Sequence, residues 1–261
     1  MSNRPKTALV TGTTSGIGYE LTNLFAKDGT NLILVSRDAS KLKLQQADLE
    51  KRYGAKVYTI AKDLSFPNAA VEIFNEVEKA GLQVDILVNN AGFGINGRFS
   101  ATSLDQELQM LQVNVIALTQ LTKVFLPKMI QNGYGKILNL GSTGSFTPCP
   151  LEAVYCASKA YALSFSNAIR AELKGTGVTV TTLCPGATKT EFPKKTLMEE
   201  TLLFRKTAME AKRVAQIAYQ GLRQNKKVVI PGVLNKLMMW SIPFTPGLIV
   251  EKLTMMLVKR N

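Results

Sequence analysis

Apolar and polar positions follow two alternating rhythms along this chain. Short β-rich runs, apolar almost throughout, recur at Lys6–Thr11, Asn31–Ser36, Lys56–Ile60, Val84–Asn89, Lys136–Leu140, Val178–Leu183 and Lys227–Ile230. Longer stretches of helical pattern separate them, at Gly16–Gly29, Ala39–Arg52, Pro67–Ala80, Asp105–Met129, Ala153–Lys174 and Ala208–Gln224. Pro67 opens its helix where a missing N–H is tolerated, and Ser103 is the expected N-cap of the long helix after it. Strands apolar on both faces imply a parallel sheet buried on both sides. Repeated βα units therefore predict a doubly wound α/β fold, with about seven parallel strands and helices on both faces, in one domain spanning residues 1–261. Two segments break the rhythm. Residues 187–207 form a polar, charged insertion expected on the substrate side. Residues 232–261 form a basic, apolar tail rich in Met and Leu.

Composition narrows the chemistry. Among 261 residues there is no histidine, which excludes a Ser-His-Asp triad, a Cys-His pair and an HExxH zinc site. Acid/base work falls to Tyr, Lys, Asp, Glu or Cys. The three cysteines, Cys149, Cys156 and Cys184, include no CxxC, so reduced thiols and no metal site are expected. Neither a signal-peptide core at the start nor an uninterrupted apolar run long enough to span a bilayer is present, which predicts a cytoplasmic protein, at most peripheral to a membrane. The net charge of +13 is concentrated late: residues 174–261 carry 15 Lys and Arg against 5 Asp and Glu. No aromatic-interleaved basic motif accompanies it, so nucleic acid is not an expected partner.

The first strand runs into Thr11-Gly12-Thr13-Thr14-Ser15-Gly16-Ile17-Gly18. A glycine-rich turn that opens a helix offers free N–H groups and the positive end of the helix dipole to a pyrophosphate. Gly12, Thr14, Ser15, Gly16, Ile17 and Gly18 are the candidate contacts. The spacing is GxxxGxG, and no Gly-Lys-Ser/Thr of a P-loop follows. The second strand ends at Ser36-Arg37. An acidic residue there would suit the ribose 2′-OH of NAD; Arg37 suits a 2′-phosphate, with Ser36 and Lys41 assisting, so NADP(H) is favoured over NAD(H).

Tyr155 and Lys159 are four residues apart in a helix, which puts them on one face. A cation there would pull the phenol below its usual ~10 and make it a usable general acid/base. Ser142, just past a strand, would sit at the ligand-facing sheet edge and bond a substrate oxygen.

These sets together resemble the short-chain dehydrogenase/reductase family, of Rossmann-like fold, over roughly residues 6–231. The matching residues are the TGxxxGIG turn, Asp63-Leu64, Asn89-Asn90-Ala91-Gly92, Asn114, Ser142, Tyr155-x-x-x-Lys159, and Pro185-Gly186 followed by Thr190. The resemblance implies that Tyr155 exchanges a proton with the substrate oxygen. It implies that Lys159 holds the nicotinamide ribose, that Ser142 orients the carbonyl, and that Asn114 fixes a water in a proton relay. Asp63 and Leu64 would meet the adenine, and Asn90, Ala91 and Gly92 the adenosine ribose. Pro185, Gly186, Thr188 and Thr190 would meet the nicotinamide side and the pyrophosphate. Asn89 is expected to be structural. Enoyl reductases of this fold space Tyr and Lys more widely, so carbonyl/alcohol chemistry fits better.

Phe93, Ile95, Thr143, Phe146, Leu151 and Phe192 are the expected pocket walls, and their apolar character favours a lipophilic carbonyl or alcohol substrate. A 3-oxoacyl-carrier reductase and a non-catalytic NADP(H)-binding sensor or scaffold are the alternatives; sensors of this fold typically lose the tyrosine or lysine, and both are present. A homo-oligomer, dimer or tetramer, is implied through the helices at Asp105–Met129 and Ala153–Lys174. The tail is expected to cover the cleft or a subunit interface, the alternative being contact with an anionic membrane surface or an acidic carrier.

Overall fold

The computed structural model describes residues 4–190, 201, 204 and 207–259. Seven strands form one parallel sheet: β1 Thr7–Thr11, β2 Asn31–Ser36, β3 Val57–Ala61, β4 Ile86–Asn89, β5 Gly135–Leu140, β6 Val178–Leu183 and β9 Val228–Val229, in the order β3-β2-β1-β4-β5-β6-β9. A separate two-stranded pair joins β7 Thr188–Lys189 to β8 Met209–Glu210. The expected Rossmann-like sheet is present. Its order reverses between β1 and β4, which opens a crevice at their carboxyl ends.

Alternate residues of each strand feed two cores. Ala8, Val10, Leu32 and Leu34 pack with α1 (Gly16–Lys27), α2 (Ala39–Tyr53) and α7 (Ala211–Arg223) on one face. Leu9, Ile33, Val35 and Leu87 pack on the other, against α3 (Ala69–Lys79), α5 (Leu118–Gln131) and α6 (Ala153–Glu172). Both faces are buried, which is why the strands read as continuous apolar runs. Truncating fully buried Leu9 or Leu87 to Ala would destabilise the fold by about 2–5 kcal/mol. At the opposite end from the crevice, buried Asp85 accepts from Arg4 at 2.7 and 2.9 Å and from the Thr7 amide at 2.9 Å.

The long helix expected at Asp105–Met129 is continuous but not uniform. It runs as α4 (Leu104–Leu111), a π-helical stretch Gln112–Ala117 and α5. Ser103 occupies the N-cap position without a side-chain capping bond. The combined helix Leu104–Gln131 is long and apolar enough by composition to cross a membrane. Interruption by polar residues hid that from a search for unbroken apolar runs. Its apolar face nevertheless lies on the sheet through Leu121, Phe125 and Met129. Helix α3 begins at Ala69 behind Asn68, so Pro67 precedes the helix instead of opening it.

Candidate active site

The glycine turn is built by close backbone approach. Gly12 and Gly16 have φ of +68° and +58°, a region that favours glycine. Asn90 clamps the turn: its Nδ2 donates to the carbonyls of Thr11 at 2.8 Å and Gly12 at 3.0 Å. Thr11 Oγ1 in return accepts from the amides of Asn90 and Ala91. A Cβ on Gly18 would stand 2.3 Å from the Gly12 carbonyl oxygen, so only glycine lets α1 start this close to the turn. From across the sheet, Thr190 comes within 2.8 Å of where a Gly16 Cβ would be, closing the crevice over the turn. Ser15 makes no side-chain capping bond at the head of α1. The result is a tight cradle of amides at a helix start, which fits a dinucleotide pyrophosphate.

At the tip of β2, Ser36 Oγ lies 3.1 Å from Thr14 Oγ1, and exposed Arg37 pairs with Asp63 at 3.8 Å. Asp63 also accepts from the Ser65 amide, which holds its loop beside buried Leu64. Lys41 does not reach the crevice; its ammonium lies 4.0 Å from Asp38.

On the other side of the crevice, Ser142 caps the short turn Thr143–Ser145, accepting from the Gly144 amide at 3.1 Å. Ser145 Oγ ties that turn to the helix of Tyr155 by donating to the Lys159 carbonyl at 2.8 Å. Lys159 Nζ donates to the Leu140 carbonyl at 2.9 Å and lies 5.8 Å from the Tyr155 ring centre. Burial pulls the Lys159 ammonium down to about 8. Tyr155 departs from expectation. Burial, reinforced by the Glu152 carboxylate, pushes its phenol up, and a hydrogen bond with Ser142 opposes this. The net direction is opposite to the lowering expected from Lys159, because desolvation of the tyrosinate dominates in this enclosed position.

Asn114 sits within the π stretch, a helix irregularity that often marks functional positions. Its Oδ1 accepts from the Phe93 amide, and its Nδ2 donates to the Phe93 carbonyl and Ser158 Oγ. Gly92 fits between Asn114 and Lys159, where a Cβ would meet Oδ1 at 2.8 Å and Nζ at 3.2 Å. Asn89 is structural as expected, buried and bonded to Thr122 and Asn139.

Most of these residues line one cleft of about 900 Å³. Gly12, Thr14, Ser15, Gly16, Ile17, Ser36, Arg37, Asp63, Leu64, Asn90, Ala91 and Gly92 line its turn and β2 end. Phe93, Ile95, Ser142, Thr143, Tyr155, Lys159, Pro185, Gly186, Thr188 and Thr190 line the rest. Gly18 and Asn114 act from behind the wall. Phe146 and Leu151 do not line the cleft: Leu151 turns at φ +69° and its carbonyl instead accepts from the Gly97 amide. Phe192, and most of the insertion at 187–207, lie outside the described residues.

Two features were not anticipated. Cys149 and Cys156 are joined as a disulfide with Cα atoms 6.0 Å apart, correcting the expectation of reduced thiols throughout; Cys184 alone is free. The loop after Ser142 doubles back onto the first turn of α6, and a seven-residue spacing carries no sign of that. Glu152, between the bridged cysteines, lines the cleft with its carboxyl pushed up to about 7 by burial. An acidic residue in an otherwise apolar loop, three positions before the tyrosine, was the available signal. The tail covers the cleft, one of the two places expected for it: α8 (Val233–Ser241), the turn after it and α9 (Gly247–Val258) roof it with Met238, Met239, Ile242, Val250, Leu257 and Val258. Asn235 anchors this roof, buried against Gly186 and donating to the Pro231 carbonyl.

A family model described as short chain dehydrogenase matches residues 6–201. The ketoacyl reductase HetN of a Nostoc strain is 34% identical over 69% of this chain and 63% of its own length. A very-long-chain 3-oxoacyl-CoA reductase of Phaeosphaeria nodorum is 38% identical over 66% of this chain and 52% of its own length. The chain thus spans roughly half to two thirds of these relatives. A solved short-chain dehydrogenase from Sphingobium yanoikuyae, in complex with NADPH, superposes with a TM-score of 0.82 at 28% identity, covering 92% of this chain and 96% of the other.

Proposed function

The chain belongs to the short-chain dehydrogenase family of oxidoreductases, and on that premise we propose that it is an NADPH-dependent reductase of lipophilic carbonyl compounds. The observation that carries this reading is the convergence of Ser142, Tyr155 and Lys159 on one cleft whose far end is the glycine cradle with Arg37 at its rim. When bound, NADPH supplies the hydride at nicotinamide C4.

The chain's own groups supply the rest. Ser142 Oγ orients the carbonyl oxygen, and Tyr155 Oη donates the proton to it. The buried phenol holds its proton at neutral pH, but its raised pKa makes it a weak acid on its own, so releasing the proton depends on stabilising the tyrosinate. As the proton leaves, the Lys159 ammonium, aligned by the Leu140 carbonyl, offsets the charge of the tyrosinate. The π stretch shifts the backbone bonds at Asn114 away from the α-helical pattern, and Asn114 holds the Phe93 backbone that floors the cleft beside Lys159. Arg37, now paired with Asp63, would hold the 2′-phosphate of NADPH and so favour NADPH over NADH. The apolar roof of Met238, Met239, Ile242 and Leu257 excludes water from the reacting carbon and favours a lipophilic substrate.

A second reading is favoured by the relatives named ketoacyl and 3-oxoacyl-CoA reductases and by the basic second half: the carbonyl belongs to a 3-oxoacyl thioester on an anionic carrier. NADPH consumption measured against long-chain, steroid-like and aromatic ketones and against 3-oxoacyl thioesters separates the two. Turnover of the free ketones supports the first reading, and turnover confined to thioesters supports the second. NADPH binding without turnover across the panel would leave a sensor. A homo-oligomer through the exposed Leu108, Ile116 and Tyr161 of α4, the π stretch and α6 completes the proposal, with light scattering as its check.

A further inference from the structure

The two helices that roof the cleft have two apolar faces, and the cleft uses only one. Met238, Met239, Val250, Leu257 and Val258 point inward. The opposite faces carry Val233, Leu237 and Trp240 on α8 and Leu248 and Met256 on α9, with Phe244 in the turn between the helices. Trp240 is 72% exposed, Phe244 76% and Leu248 81%, and the two rings lie 5.5 Å apart. Isolated exposed apolar side chains need no explanation, but a contiguous set of large ones marks an interaction surface.

Charge indicates the occupant. Helical spacing sets Lys236 on the edge of the Val233–Leu237–Trp240 face, and Lys252 and Lys259 beside Leu248 and Met255. These three exposed lysines face one acidic residue, Glu251, among the described residues of the two helices. A second copy docked here about a two-fold axis would bring the two lysine sets toward each other. A bilayer with acidic headgroups neutralises them while its acyl boundary takes up the aromatic and aliphatic side chains. Tryptophan is well suited to that interface, having an apolar body and one N–H.

We propose that α8, α9 and the turn between them form a membrane-docking face that seats the roof of the cleft on an anionic lipid surface. Docking there places the mouth of the cleft against the bilayer, so a lipophilic substrate passes between the helices directly from lipid. The docking step itself does not depend on the carbonyl-reductase reading and is measured without turnover.

Trp240 is the chain's single tryptophan, so its fluorescence reports on this face alone. The full-length chain is titrated with vesicles of phosphatidylcholine, and with vesicles of equal parts phosphatidylcholine and phosphatidylglycerol. With the anionic vesicles, Trp240 emission shifts to the blue and is quenched by brominated acyl chains; pure phosphatidylcholine or high salt weakens both effects. In co-sedimentation, Lys236→Glu with Lys252→Glu lowers the vesicle-bound fraction by about ten-fold or more. Combined Phe244→Ser and Leu248→Ser does the same, with an unchanged thermal midpoint. The inference is overturned if emission stays unshifted with anionic vesicles. It is equally overturned if the same shift appears on raising protein concentration without lipid, which would make this face a contact between copies.

Discussion

Glu152 stands one helical turn before Tyr155, and its carboxylate is the largest influence after burial in pushing the tyrosine pKa up. The carboxyl is itself 5% exposed, and its Oε1 has no hydrogen-bond partner among the described residues. Asn96 hydrogen-bonds the carboxyl group and also reaches the Val258 carbonyl at 3.4 Å, linking the acid beside the tyrosine to the end of the roof.

This pairing has a pH signature. The folded chain holds the Glu152 proton up to about pH 7, whereas an ordinary carboxyl releases it near 4.5. Folding therefore takes up a proton between those values, so the Glu152 contribution to stability is fully present below about 4.5 and is lost as pH rises through about 7. The loss is at most about 3 kcal/mol. Glu152→Gln should flatten this slope, and denaturant midpoints of both proteins from pH 5 to 8 check it. Parallel slopes would remove Glu152 as the source.

Arg37→Asp is expected to reverse cofactor preference. Losing a charge-assisted contact to the 2′-phosphate and gaining a repulsion should lower kcat/KM with NADPH by about 10- to 100-fold, while NADH use rises. The ratio of the two kcat/KM values is the measurement, and an unchanged ratio would remove Arg37 from cofactor selection.

The layers of this fold were legible because both sheet faces are buried, which makes each strand a continuous apolar run. The turn at Gly12–Gly18 and the Tyr155/Lys159 pair were legible because local spacing alone brings their residues together. The roof was only half legible: its apolar, lysine-bearing composition was plain, but which face of α8 and α9 lies inward depends on Asn235 reaching Gly186. The Cys149–Cys156 bridge and the direction of the Tyr155 shift were hidden, since both follow from how the Ser142 loop folds over α6. Phe146 and Leu151 illustrate the same limit: they are apolar residues in a wall-forming loop, yet its turn directs them elsewhere.

Gly18→Ala should damage the cradle more than an ordinary helix-start substitution would. Its Cβ would be 2.3 Å from a backbone carbonyl and 2.4 Å from Asn90 Nδ2, so the clamp on Gly12 must open. A loss of about 1–3 kcal/mol in stability is expected, together with weaker NADPH binding. Calorimetric titration with NADPH alongside thermal unfolding tests both, and wild-type values in the two would contradict the close packing.

Tyr155 is proposed to provide the proton for carbonyl reduction in a chain without histidine. Its most direct test is Tyr155→Phe, assayed for NADPH binding and for single-turnover NADPH oxidation with a ketone that the wild type reduces. Binding should stay within about two-fold and oxidation fall by at least about 100-fold, the scale of general acid catalysis. Oxidation at the wild-type rate with binding intact would contradict a proton-donating role for Tyr155.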